Sequence, residues 1–172
     1  MIKAVLISIR PKWCEKIASG EKTIEVRKTR PKLETPFKGY IYETQGWVEK
    51  DGIMEFRLGG RVIGEFTCDR IYGLAPLNHA PDDVEQQACL TREEIVRYLK
   101  GVGYGWHISG LRIYHQPLEL TEFRRACPND LYCESCAMYS NNNGICNNGA
   151  LPLRHPPQSW CYVDEGRQWL NA

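Results

Sequence analysis

Between Gly20 and Lys28 the sequence reads GEKTIEVRK, which brings Lys22, Thr23, Glu25 and Arg27 together within one short alternating stretch. The charged residues suit the floor of a site for a polar or anionic ligand, among them the planar fork of Arg27 and the point charge of Lys22. The competing reading is a strand edge facing water, because charged strand faces are most often simply solvated.

Other residues extend this picture. Ser8, Arg10, Lys12 and Trp13 fall where a strand gives way to a helix, and a helix N-terminus favours anions. Trp13 and Trp106 each offer a ring on which a base can stack, a contact worth on the order of 1–3 kcal/mol; the alternative for each is core packing. His107, in GWHIS, is of the residue type most used for general acid–base work, although a single strand histidine more often has a structural role.

A second constellation lies further on. Cys127, Cys133, Cys136 and Cys146 have the spacing C-x5-C-x2-C-x9-C inside a segment rich in Asn, Ser and Gly, YSNNNGICNNGA included. Such a composition buries too little apolar surface to order itself. Four thiolates around a zinc ion, with the CESC pair on one side, supply a tetrahedral structural site whose binding energy replaces the missing core. Iron–sulfur ligation uses similar residues, and His155 is a possible substitute ligand beside Pro156 and Pro157. Cys14, Cys68, Cys89 and Cys161 stand among apolar neighbours and read as small core residues.

Composition bounds the rest. With 172 residues, 42% apolar and 25% charged, the chain suits one soluble globular domain, and a net charge of +1 selects no partner in bulk. No run approaches the roughly 20 apolar residues of a membrane helix, and MIKAVLISIRPK is too briefly apolar for a secretory signal. The expectation is a cytoplasmic protein with no membrane attachment.

The elements that must position these residues are short. AVLISI (4–9) predicts a buried strand; Pro11 opens a helix that Gly20 closes, with Trp13 and Ile17 on one face. If Ile24 and Val26 of the next strand face the core, then Thr23, Glu25, Arg27 and Thr29 share the opposite face. KGYIYET and RVIGEFTCDRIYGL predict strands around a hairpin region with turn signals at Asp51-Gly52 and Gly59-Gly60. LTREEIVRYL predicts a helix with a Thr91/Glu94 capping box and an apolar stripe of Ile95, Tyr98 and Leu99. GWHIS and LRIY predict two strand pieces joined at Ser109-Gly110. The fold class is α+β: a single domain over 1–172, a small partly closed β-barrel with short helices, a Cys-rich metal-stapled insertion at about 124–150 and a returning strand at about 158–164.

SIRPKWCEKIASGEKTIEVRKTRPK, VIGEFTCDRIYGL, ACLTREEIVRYL and YGWHISGLRIYHQPLEL together resemble the ASCH family, whose fold is like the RNA-binding PUA domain. Among its members the chain is most similar to prophage-type proteins that end in a Cys-rich segment and PPQSW. The G-x-K-T-x-E-x-R core, here Gly20, Lys22, Thr23, Glu25 and Arg27, carries the family's most specific signature. The resemblance implies a positively charged cleft beside that strand, holding RNA or a modified nucleoside or nucleotide. Some members are N4-acetylcytidine amidohydrolases, whose catalytic Lys falls on Lys22; the family's Thr falls here on Glu25, and its Glu has loose counterparts in Glu85 and Gln86. Such an enzyme needs a desolvated Lys as base or nucleophile and a carboxylate to shuttle the proton, a pair that Lys22 and Glu25 would supply. Others are ribonucleases, for which His107 is the natural acid–base residue. The primary expectation is therefore an RNA- or nucleoside-binding module, with a hydrolase in the same cleft as the alternative and a protein-interaction module built on the Cys-rich lobe as a third class.

Overall fold

The computed structural model describes residues 3–74, 80–126 and 152–165. Among them the chain forms strands β1 (Lys3–Ile9), β2 (Ile24–Arg27), β3 (Phe37–Glu43), β4 (Gly46–Lys50), β5 (Ile53–Arg57), β6 (Arg61–Gly73), β7 (Tyr104–Glu119) and β8 (Trp160–Asp164). Three α-helices interrupt them, α1 (Pro11–Ala18), α2 (Val84–Ala88) and α3 (Arg92–Leu99), and a 3-10 turn (Leu120–Glu122) follows β7. Six strands make one sheet in the order β2-β7-β6-β3-β1-β8, antiparallel except for the β1–β3 pair, while β4 and β5 form a separate hairpin.

The continuous apolar run of β1 is explained by cover on both faces. Val5, Ile7 and Ile9 enter one core cluster with Ile17, Ile41, Phe66 and Trp106, while Ala4 and Leu6 enter another with Tyr40, Val62, Phe123 and Val163. Gly39 of β3 leaves room for the ring of Phe66, its partner across the β3–β6 ladder, which a Cβ at that position would strike. A third cluster, Ile24, Val26, Leu74, Val84, Ala88, Ile95 and Leu99, packs α2 and α3 under the outer face of β2.

The sheet curls until its two edge strands, β2 and β8, approach each other. No backbone ladder joins them; side chains do. Arg27 donates from Nη2 to the Ser8 carbonyl at 2.6 Å and from Nη1 to Ser159 Oγ at 3.3 Å. Trp160 Nε1 donates to Thr29 Oγ1 at 3.0 Å, and the Lys32 amide donates to the Tyr162 hydroxyl at 2.7 Å. The result is a half-barrel of strands with a few short helices.

Most element expectations match the structure. Pro11 occupies the first turn of α1, Gly20 takes φ +81° just beyond it, and Thr91 and Glu94 make the reciprocal capping box of α3. Two differ. β7 is one strand rather than two, with Gly110 at φ +53° absorbing an irregularity opposite Thr67 while the ladder continues. In α3 the buried stripe is Ile95 and Leu99 alone, and Tyr98 is 44% exposed. Among the described residues no helix is long and apolar enough to cross a membrane.

Candidate functional site

β2 is buried on both faces, which corrects the idea of a strand with one open charged side. All four residues from Ile24 to Arg27 are buried, and Lys22, at the strand entrance, is 2% exposed. Ile24 and Val26 point to the helices; Glu25 and Arg27, 6% and 8% exposed, point into the half-barrel. Charges so deeply buried persist only when paired. Here the pairing is internal: Glu25 Oε1 lies 3.0 Å from Arg27 Nη2, and Glu25 Oε2 lies 3.3 Å from Lys22 Nζ.

Lys22 is further fixed by chain from a distant element. Its Nζ donates to the Ala88 carbonyl at 2.7 Å and to the Ile24 carbonyl at 2.9 Å, and lies 5.1 Å from the Trp13 ring centroid. The two carbonyls take two of the three donors of the ammonium. The contact to Glu25 Oε2 is an ion pair without hydrogen-bond alignment, so that oxygen and Arg27 Nε retain unused hydrogen-bonding capacity.

Above this ionic floor lies a cavity of about 480 Å³, within the roughly 300–1,000 Å³ range of small-molecule sites. Ser8, Arg10, Trp13, Lys22, Glu25 and Arg27 all line it, so the structure gathers six of the residues singled out from the sequence. Arg10 is exposed at the rim and, among the described residues, pairs with no carboxylate. Counting Arg10, Lys22 and Arg27 against Glu25 and Glu94 leaves the lining with one net positive charge.

Four residues from the sequence reading stand elsewhere. Lys12 lies over the outer side of Trp13, 4.2 Å from the ring centroid, and lines a different surface hollow. The Thr23 hydroxyl donates to Gln87 Oε1 at 3.2 Å and tethers β2 to α2. Trp106 is fully buried between Phe37 and Trp160, with centroids 5.9 Å away from each, so a base cannot reach its face; its place is the core. His107, next along β7, points to the other side of the sheet from Trp106, where Nδ1 meets Asp69 Oδ1 at 2.6 Å, and it does not line the cavity. Burial works to raise the Asp69 carboxyl, but the hydrogen bond and charge of His107 outweigh it and hold it below the usual value.

The cavity also draws on residues the sequence reading did not assign to it: Thr44, Leu90, Glu94, Tyr98 and Gln158. Glu94 and Tyr98 had a legible signal, since they are four apart on α3 and off its Ile95–Leu99 stripe. The Thr91 amide is the first cause of a lowered Glu94 carboxyl, which keeps a negative charge at the mouth. Cys127, Cys133, Cys136 and Cys146, with most of the Cys-rich insertion, lie outside the described residues; among those described, no three metal-ligating side chains form a group. Cys14 and Cys68 are buried, and Cys89 and Cys161 half-buried, all as free thiols.

No protein-family model matches this sequence, and no curated protein matches it. Solved structures do. The ASCH protein of Zymomonas mobilis, ZmASCH, shares 18% identity at a TM-score of 0.59, over 94% of this chain and 88% of that one. Two mutant forms of ZmASCH align at 17% identity and the same TM-score of 0.59, over 91% and 89% of their chains. Likeness at this identity and coverage establishes the fold, an ASCH-domain half-barrel.

Proposed function

On this ASCH-domain fold, we propose that the chain binds RNA, or a modified nucleoside or nucleotide, in the cavity between α1, β2 and α3. The observation that carries the proposal is the combination on one cavity of a locked ionic floor, two aromatic rings and a cation without a carboxylate partner. Trp13 and Tyr98 supply surfaces for a base, and Arg10 supplies a fork for a phosphate. Lys22 and Arg27 are largely neutralised by Glu25 and by carbonyls, so they shape a polar wall instead of attracting phosphate directly.

The same geometry ranks binding above hydrolysis. A Lys22 amine would keep both of its carbonyls, but a proton passed to Glu25 would leave the buried Arg27 guanidinium without its charge partner. His107, the ribonuclease candidate, faces away from the cavity. We also propose that Cys127, Cys133, Cys136 and Cys146 hold a structural zinc that orders their own segment.

The test is a titration of short RNA and of nucleotides against wild type, Trp13→Ala, Tyr98→Ala and Arg10→Ala. Each ring variant is expected to weaken binding by about 1–3 kcal/mol, and Arg10→Ala to reduce the salt dependence. Affinities unchanged in all three remove the cavity reading. Incubation with N4-acetylcytidine is the accompanying control: conversion to cytidine, abolished by Lys22→Met, places the hydrolase ahead.

A further inference from the structure

Directly after Arg27 the chain runs Lys28-Thr29-Arg30-Pro31-Lys32, and this segment walls a second, open groove of about 870 Å³ whose other side is Ile71 and Tyr104. Its lining carries three cations, Lys28, Arg30 and Lys32, against one carboxylate, Glu34. All three cations are exposed and, among the described residues, none pairs with an acid. Elsewhere Lys16, Lys38, Arg57, Arg61 and Arg92 each sit within ion-pair distance of a glutamate. Lys12, Lys50, Arg70, Arg97 and Lys100 likewise have no acid at ion-pair distance among the described residues, but here three such cations fall within five residues on one wall of a groove.

Two further features distinguish the groove from an ordinary basic loop. Two of the cations are set beside rings: Lys28 lies 5.3 Å from the Tyr98 centroid and Arg30 lies 5.7 Å from Tyr104. The wall is also held in place, since Pro31 is buried and the bonds from Trp160 to Thr29 and from Lys32 to Tyr162 pin the segment to β8. A prefixed cationic wall loses little conformational freedom on binding. The groove meets the cavity at Tyr98, which lines the cavity while lying under Lys28.

We propose that this groove carries the sugar–phosphate backbone of a single RNA strand, one nucleotide of which enters the cavity, so that the ligand is an oligonucleotide and not a free nucleoside. The inference rests on the cavity reading above. Cations tracking a backbone beside aromatic rings are the usual elements of single-strand recognition, and removing one phosphate-binding cation lowers the salt slope by about 0.7 for single strands.

The test compares wild type with the triple variant Lys28→Ala, Arg30→Ala, Lys32→Ala, using cytidine monophosphate, a mixed-sequence 12-mer RNA, and poly-glutamate as a competing polyanion. Wild type is expected to bind the 12-mer more tightly than the mononucleotide. The triple variant is expected to keep the mononucleotide affinity, to bind the 12-mer about tenfold or more weakly at low salt, and to reduce the slope of log affinity against log salt by about 2. Lys32→Glu alone, at an exposed side chain, is expected to weaken the 12-mer and so guards against a folding defect in the triple variant.

An unchanged 12-mer affinity and slope overturns the proposal, as does poly-glutamate competing as well as RNA, which marks a general polyanion surface. A 12-mer bound no more tightly than the mononucleotide overturns it while leaving the cavity reading intact. Conversely, a reduced slope in the triple variant with no response to Trp13→Ala or Tyr98→Ala keeps the groove and removes the cavity. Wild type binding neither ligand ends both.

Discussion

Replacing Glu25 with Gln deletes the carboxylate that stands between two buried cations. Lys22 and Arg27, 2% and 8% exposed, would then face each other with a neutral amide between them. Removing one partner from a buried ion pair costs about 3–5 kcal/mol, because the remaining charge is left uncompensated. The low end applies here: Lys22 keeps the Ala88 and Ile24 carbonyls, Arg27 keeps the Ser8 carbonyl, and the Gln oxygen can still accept from the guanidinium. At about 2–4 °C per kcal/mol for a chain of this size, a loss of about 3 kcal/mol lowers Tm by about 6–12 °C. Differential scanning calorimetry on Glu25→Gln, Lys22→Met and the double variant measures this. The double variant, with one cation left instead of two, is expected to lose less than the sum of the singles by at least about 1 kcal/mol. A Glu25→Gln protein that melts within about 2 °C of wild type, with additive singles, would refute the view of these three residues as one electrostatic unit.

The core offers a second check: Trp106→Ala is expected to cost about 3–5 kcal/mol in urea unfolding, whereas a fold that tolerates it and loses RNA binding instead would return Trp106 to the binding surface. Burial pushes the Cys68 thiol up from 9.0 to about 12, so at pH 8 its thiolate is about 10³-fold scarcer than that of an unperturbed thiol. Alkylation at pH 8 followed by peptide mapping should label Cys89 well before Cys68, and raising the pH to 10 should still leave native Cys68 unlabelled; equal rates would contradict its placement. Metal analysis of reduced protein should give about one zinc per chain, lost on chelation or with Cys133→Ala and Cys136→Ala, and a metal-free yet fully ordered chain would remove the zinc proposal.

What the sequence made legible was local. The two-sided apolar run of β1, the Pro11 and Gly20 punctuation of α1 and the Thr91–Glu94 capping box are each decided within a few residues, and all three appear as read. The alternation of β2 correctly separated Ile24 and Val26 from Glu25 and Arg27, and the cavity gathers Lys22, Glu25 and Arg27 with Ser8, Arg10 and Trp13. What remained hidden depended on chain far away in sequence. Nothing near Lys22 foretells the Ala88 carbonyl, and nothing near Arg27 foretells Ser159, 132 residues on; yet these bonds turn an apparent charged face into a buried floor. Trp106 illustrates the same limit, since a tryptophan between glycine and histidine in a strand reads alike whether its face is open or covered by Phe37 and Trp160. Tyr98 was assigned to the apolar stripe of its helix because helical spacing admits it there, and packing against β2 needed only Ile95 and Leu99.

The most direct test of the central claim, that RNA enters the cavity above the Lys22–Glu25–Arg27 floor, is ultraviolet crosslinking of a bound short RNA with mass-spectrometric mapping of the adducts. Adducts concentrated on the peptides holding Trp13 and Tyr98, and competed away by unlabelled RNA, are the predicted result. Adducts confined to other surfaces, with both of those peptides unmodified, would contradict it.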